Sequence, residues 1–309
     1  MNNINTNHIS DLLKKEICGI DVLTDEPMKN HTSFHIGGNA DIFISAKTKD
    51  EIVSAVSLLK DNKVKTTIIG NGSNLLVSDD GIEGAVICIG KDFSSVVSNG
   101  NTITADSGIL LSRLSSFAAS KGLTGLEFAS GIPGTLGGAI VMNAGAYGGE
   151  MKDCVLSTTY IDQNGNICTA NGEEHMFCYR KSRFKDGEII LSSTLSLECG
   201  DEASIRETMR TLSEKRREKQ PLEYPSAGST FKRPEGAFAA KLIDDAGLRG
   251  YAIGDAQVSE KHCGFVINRG NASFKDVVAL MEHIKITVKE KFGYELEPEV
   301  KIIGKNIAI

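Results

Sequence analysis

The 309-residue chain has no tryptophan, six prolines and only 6% aromatic residues. A core of any size must therefore be built from aliphatic side chains. Basic charge is also scarce: 34 Lys and Arg stand against 40 Asp and Glu, for a net charge of -6. That balance gives no positive field to hold nucleic acid or an acidic membrane surface. No apolar run approaches the length needed to span a bilayer, and the opening MNNINTNHISDLL lacks the basic and apolar regions of a secretion signal. A cytoplasmic protein is expected, with its oligomeric state left open. The seven cysteines, at 18, 88, 154, 168, 178, 199 and 263, include no CxxC pair, and their number is odd. Free thiols, most of them buried as small hydrophobes, are the expectation. His31 and His35 stand four apart but are followed by Gly37-Gly38 and do not read as a helix, so no metal site is expected.

What the chain does have is glycine, 32 of them. Ile68-Ile69-Gly70-Asn71-Gly72-Ser73-Asn74-Leu75-Leu76-Val77 puts a Gly-x-Gly turn directly after a strand, where main-chain N-H groups can approach phosphate. A Rossmann turn needs a third glycine where Leu75 stands, and a helix after it. Here Leu75-Leu76-Val77 leads toward another strand, and the Lys of a P-loop is absent. A second block, GLTGLEFASGIPGTLGGAIVMNAGAYGG at 122-149, holds nine glycines, with Ala129, Ser130, Ala139, Ala144 and Ala146 keeping other side chains small. A long, flat, phosphate-bearing ligand laid along main chain would explain both loops. Tight packing between domains is the competing explanation.

The remaining pattern is α+β. Thr48-Lys49-Asp50-Glu51 reads as a capping box ahead of a helix with Ile52, Val53, Val56 and Leu59 on one face. Strands are expected at 41-46, 66-69, 85-89, 102-105, 155-161 and 189-197, with a hairpin turn at Asn164-Gly165. A helix with Leu111, Leu114, Phe117 and Ala118 should stop at Gly122, and a second should run over 201-219 with Ile205, Met209 and Leu212 buried. The cations that close it, Lys215, Arg216, Arg217 and Lys219, suit a helix C-terminus. Further elements are a short helix at 239-246, a strand at 257-268, a helix capped by Ser273, and a closing strand at 299-303. A domain boundary is expected near 200-206. Ser229, after Ala227-Gly228, and Glu299, in Leu296-Glu297-Pro298-Glu299-Val300, form a hydroxyl and carboxylate pair able to move a proton.

The ordered motifs NHTSFHIGG at 30-38, GNGSNLLV at 70-77, ASGIPGTLGGAIVMNAGAYGG at 129-149, YRKSRFK at 179-185, SAGSTFKRP at 226-234 and LEPEV at 296-300 resemble those of the UDP-N-acetylenolpyruvoylglucosamine reductases, flavoenzymes of peptidoglycan synthesis. The resemblance covers nearly the whole chain. It implies an FAD-binding domain of the vanillyl-alcohol-oxidase (PCMH) type over 1-205, in subdomains of about 1-90 and 91-205. A substrate domain over 206-309 follows, whose segment 295-309 returns toward the flavin. It implies non-covalent FAD, since no histidine lies in either glycine block, with NADPH as co-substrate and a nucleotide-sugar as substrate. By the same resemblance Arg180, Ser229 and Glu299 are catalytic. Gly70, Asn71, Gly72, Ser73, Asn74, Leu75, Gly131, Ile132, Pro133, Gly134, Gly137, Gly138, Asn143, Gly145 and Ala146 hold FAD, and Lys219, Arg233, Gln257 and Glu260 hold substrate. Arg233 stands where longer members have Asn, and no room exists between Phe184 and Ile205 for their extra loop, so the chain resembles the shorter form. Another flavin oxidase of the same fold, or a non-catalytic nucleotide-sugar binder, are the alternatives.

Overall fold

A computed structural model describes residues 6-184 and 187-307. Their contacts divide the chain into two interleaved units. The first comprises the chain through Thr24, Ile42-Asn71 and Gly84-Arg216; the second comprises Asp25-Asp41, Gly72-Glu83 and the chain from Arg217 onward.

The first unit has two aliphatic cores. In one, the helix Lys49-Asp61 packs Ile52, Ala55 and Leu59 against strand residues Ile42, Ile44, Ala85 and Ile87. Thr48 caps this helix: its hydroxyl accepts from Glu51 N at 3.1 Å, while Glu51 accepts from Lys47 N rather than from the cap residue itself. The strands Asp21-Pro27, Asn39-Ser45, Ile82-Cys88 and Thr66-Ile69 lie in that order in one sheet, and the last two run parallel. The second core lies on an antiparallel sheet ordered Ile167-Asn171, Val155-Ile161, Ile189-Ser196, Thr102-Asp106 and Val96-Asn99. The helices Leu111-Ser120 and Leu136-Val141 contribute Leu111, Leu114, Ala118, Leu136 and Ile140 to it. Between them, Gly122 adopts φ 66 and ends the first helix as expected.

In the second unit the helix Phe274-Phe292 is closed at both ends. Ser273 and Asp276 form a reciprocal capping box, and Gly293 at φ 76 stops the last turn. Its Val277, Leu280, Met281, Ile284 and Val288 join Phe34, Leu76, Phe231 and Leu242 in one core. The strand Lys301-Ile303 runs parallel to Leu75-Val77, so the chain after the Gly-x-Gly turn is a strand.

Four sequence expectations need correction. The strand at 257-268 is a hairpin, Ala256-Val258 paired antiparallel with Val266-Asn268, because the polar run Ser259-Glu260-Lys261-His262 carries the chain out and back. On the helix Glu202-Lys219 only Ile205 is buried; Met209 and Leu212 are half-buried, so its apolar stripe is narrow. The helix Thr6-Glu16, the strand Asp21-Pro27 and the short helix Leu136-Val141 went unread. Only Cys154 and Cys263 of the seven thiols are buried, while Cys18, Cys178 and Cys199 are exposed.

Burial gives the thiols different chemistry. It pushes Cys88 up to about 11 and Cys154 up to about 12, with Asp92 and Asp153 adding to each. Iodoacetamide at pH 8 should therefore modify Cys18, Cys178 and Cys199 and spare Cys88 and Cys154, as read by peptide mass spectrometry. Labelling of Cys88 at the rate of Cys18 would contradict this. Because the folded thiols hold protons that the unfolded chain loses from about pH 9, stability should fall as pH rises from there toward 11.

Candidate active site

Within the first unit, both glycine segments meet. Asn71 donates its side-chain amide to Pro133 O at 2.7 Å, and a Cβ on Gly70 would lie 2.4 Å from Thr135 Oγ1. A Cβ on Gly137 would stand 3.0 Å from that of Ser107. These glycines allow close packing within the first unit. The main-chain N-H groups of Asn71, Gly131 and Gly134 make no hydrogen bond among the described residues, and the buried Ser107 hydroxyl has no partner. Unpaired donors beside a side-chain-free surface suit a flat ligand carrying phosphate.

Arg216 is a cation packed on this surface, where the sequence suggests only a helix-end charge. Its side chain packs on the same segment: a Cβ on Gly131 would lie 3.2 Å from its Cδ and Nη1. Burial lowers the guanidinium's pKa, which the nearby Tyr147 partly opposes, and no hydrogen bond or ion pair holds it among the described residues. A desolvated cation without a counter-charge is costly unless an anion arrives. The signal available in sequence was its position in Lys215-Arg216-Arg217, but only the packing singles out one of the three.

Arg180 sits at the tip of a tight turn, where Cys178 N donates to Lys181 O at 2.9 Å and Lys181 N donates back at 3.2 Å. Its backbone is left-handed at φ 55, and its Nη2 donates to Gly145 O at 3.3 Å. Tyr179, half exposed, stacks beneath the guanidinium at 5.0 Å.

The segments that carry the hydroxyl and carboxylate candidates pair through main chain in the second unit. Phe231 bridges Pro298, and Glu299 N donates to Thr230 O at 2.9 Å, which pairs Glu299 with Thr230, the residue after Ser229. Thr230 is buried; its hydroxyl accepts from Val266 N at 2.9 Å. Ser229 itself is exposed, reached through Gly228 at φ 78. The rest of the first glycine loop lies with this pair: Asn74 Nδ2 donates to Glu299 O at 3.1 Å, and Lys301 N donates to Asn74 O. Gly72 has no room for a side chain, since a Cβ would fall 2.0 Å from His31 O.

Among the substrate candidates, Gln257 donates to Gly250 O at 2.9 Å, and a Cβ on Gly250 would lie 3.3 Å from Glu260 Oε1, so these two share one neighbourhood. Arg233 stacks 3.9 Å over the exposed Phe238. Lys219, at the end of its helix, is exposed.

The chain is similar to proteins of one named family. An FAD-binding-domain model matches residues 40-171, and the model for the C-terminal domain of UDP-N-acetylenolpyruvoylglucosamine reductase matches 220-303. The enzyme of that name from Caldanaerobacter subterraneus subsp. tengcongensis is 51% identical over 96% of this chain and 98% of its own. The one from Clostridioides difficile is 50% identical, with 97% of each chain covered. The crystal structure of the Thermus caldophilus UDP-N-acetylenolpyruvylglucosamine reductase superposes with TM-score 0.75 at 33% identity, over 92% of this chain and 98% of that one.

Replacing Gly72 by alanine sets a methyl group against fixed backbone at φ 60 and should cost about 2 kcal/mol or more. Gly100, at φ 55 with nothing within 4 Å, pays the conformational cost alone, about 1 kcal/mol. Urea unfolding of the two alanine variants gives the comparison; equal losses would show that the loop has room.

Proposed function

The chain belongs to the UDP-N-acetylenolpyruvoylglucosamine reductase family, and on that premise we propose how its residues divide the reaction. It is an NADPH-dependent flavin oxidoreductase that reduces UDP-N-acetylglucosamine enolpyruvate to UDP-N-acetylmuramate for peptidoglycan synthesis. At this identity the readings as an oxidase or a non-catalytic binder give way. Its natural setting is the cytoplasm, and no helix among the described residues is long and apolar enough to cross a membrane. We assign the flavin-binding part to 1-205 and the substrate part to 206-309, with 295-309 returning toward the flavin; the matches at 40-171 and 220-303 fall inside the two parts.

The residues at 70-75 and 131-146 would hold FAD, which would supply the hydride chemistry linking NADPH to the terminal carbon of the enolpyruvyl group. The chain must then stabilise charge developing beside the substrate carboxylate and protonate the adjacent carbon. Arg180 is assigned to the first task with Glu299, and Ser229 is the proton donor. The observation that supports this reading is the hydrogen bond from Glu299 N to Thr230 O, which pairs Glu299 with the residue after Ser229. A serine is a weak acid, so its efficiency depends on what surrounds it when substrate excludes water.

The cofactor is held by the main chain of Gly70 to Leu75, of Gly131 to Gly134, of Gly137 and Gly138, and of Asn143, Gly145 and Ala146, without a covalent bond. Arg216 provides the counter-charge for its anionic groups. Lys219, Arg233, Gln257 and Glu260 receive the nucleotide-sugar.

Ser229→Ala should leave bleaching of the flavin absorbance by NADPH nearly unchanged and slow its return on adding enolpyruvyl substrate by about 10²- to 10⁴-fold. Arg180→Lys, which keeps charge but loses the planar fork, should slow the same step. Anaerobic stopped-flow resolves the two steps; equal slowing of both by Ser229→Ala would indicate a damaged flavin site and refute the assignment.

Arg216→Ala should weaken FAD binding by about tenfold or more, measured by fluorescence titration of apoenzyme. Acid precipitation of either form should leave all flavin in solution. Unchanged affinity would remove Arg216 from the cofactor site.

A further inference from the structure

Asn143 is the most fully engaged polar side chain in the glycine block. It is 0% exposed and holds a left-handed backbone at φ 40, unusual for any residue with a Cβ. Its amide nitrogen donates to Glu150 Oε2 at 2.7 Å and to Cys178 O at 3.1 Å, and its Oδ1 accepts from Lys152 N at 2.9 Å. Both donor hydrogens and an acceptor lone pair are thus in use, and the three partners fix which side of the amide is nitrogen. No donor hydrogen is left for a ligand, and one Oδ1 lone pair remains.

One of those partners, the Cys178 carbonyl, begins the tight turn that displays Arg180. Two further bonds tie the same turn to the same stretch of the glycine block: Ser182 Oγ donates to Val141 O at 2.9 Å, and Arg180 Nη2 donates to Gly145 O at 3.3 Å. Residues 141-145 therefore form the base on which residues 178-182 rest. Of the three ties, only that from Asn143 is made by a wholly buried side chain whose other bonds anchor it independently, through Glu150 and Lys152. Glu150 is itself fixed, since its main-chain N-H donates to Asp153 Oδ2 at 2.9 Å. The Cys178 carbonyl cannot shift without breaking its hydrogen bond from the Asn143 amide or dragging this network along.

We propose that Asn143 is the positioning residue for Arg180: through the Cys178 carbonyl it holds the turn that presents the guanidinium, and its side chain makes no contact with cofactor or substrate. The proposal rests on the reading of Arg180 given above for its chemical consequence, but not for its structural one.

Two variants separate side chain from backbone. Asn143→Gly keeps the left-handed conformation and removes all three side-chain bonds. Asn143→Asp keeps the shape but turns the donating face into a carboxylate against Glu150 and the Cys178 carbonyl. In both holoenzymes, hydrogen exchange across residues 176-184 should accelerate by about tenfold or more relative to wild type, while the helix Phe274-Phe292 is unchanged. In stopped-flow, the substrate-driven return of flavin absorbance should slow at least tenfold more than the NADPH-driven bleaching. Adding Arg180→Lys to Asn143→Gly should then slow the substrate step less than Arg180→Lys does alone, because a misplaced arginine has less to lose. Unchanged exchange over 176-184 overturns the proposal, as do fully additive effects when Arg180→Lys alone is slow. If Arg180→Lys is as fast as wild type while exchange still rises, Asn143 positions the turn as stated and the catalytic reading of Arg180 is what fails.

Discussion

The structure depends on places where main chain must come within about 3 Å of other main chain or of a rigid side chain, leaving no volume for a Cβ. Gly70 against Thr135 and Gly137 against Ser107 are such places in the first unit, and Gly72 against His31 is one in the second. A methyl group at any of them would have to displace atoms fixed by neighbouring strands or turns, so the loop path follows from excluded volume. The same absence of side chains leaves N-H groups uncovered. Packing and ligand access are thus two consequences of one constraint.

On that frame the chemical groups are held by different means. Ser229 and Glu299 are placed by backbone pairing, with the Thr230 hydroxyl engaged by Val266 N to hold the turn from its buried side. Arg180 is placed by a side-chain network built on Asn143, Glu150 and Ser182. Arg216 packs on Gly131, and among the described residues no ion pair compensates its charge. The first arrangement is stiff and the second is sensitive to single substitutions. The third stores an electrostatic cost that an anionic ligand relieves.

Much of the fold was legible because its signals are local. The Thr48 cap, the Ser273 capping box, the Gly122 and Gly293 stops and the strands Thr66-Ile69 and Val155-Ile161 each follow from a few adjacent residues. The hairpin at 256-268 was misread because an alternating apolar pattern on both sides of a polar run looks like one strand until pairing decides otherwise. The thiols were misread for a related reason: cysteine's average preference for burial does not say which face of a particular element it occupies.

For the site, sequence by itself determined which groups exist: a hydroxyl after Ala-Gly, a carboxylate after Pro298, an arginine after Tyr179, and two glycine-rich stretches whose order along the chain points to one enzyme family. Tertiary structure alone decided how several equivalent groups differ in their surroundings. It separated Arg216 from Lys215 and Arg217, committed the Asn143 amide to Cys178 and Glu150, and set Glu299 beside the Ser229 turn across sixty-odd residues of chain. The physical reason is that burial, hydrogen-bond direction and the absence of a counter-charge are properties of a neighbourhood in space. Residues distant in sequence create that neighbourhood, so no local pattern encodes it.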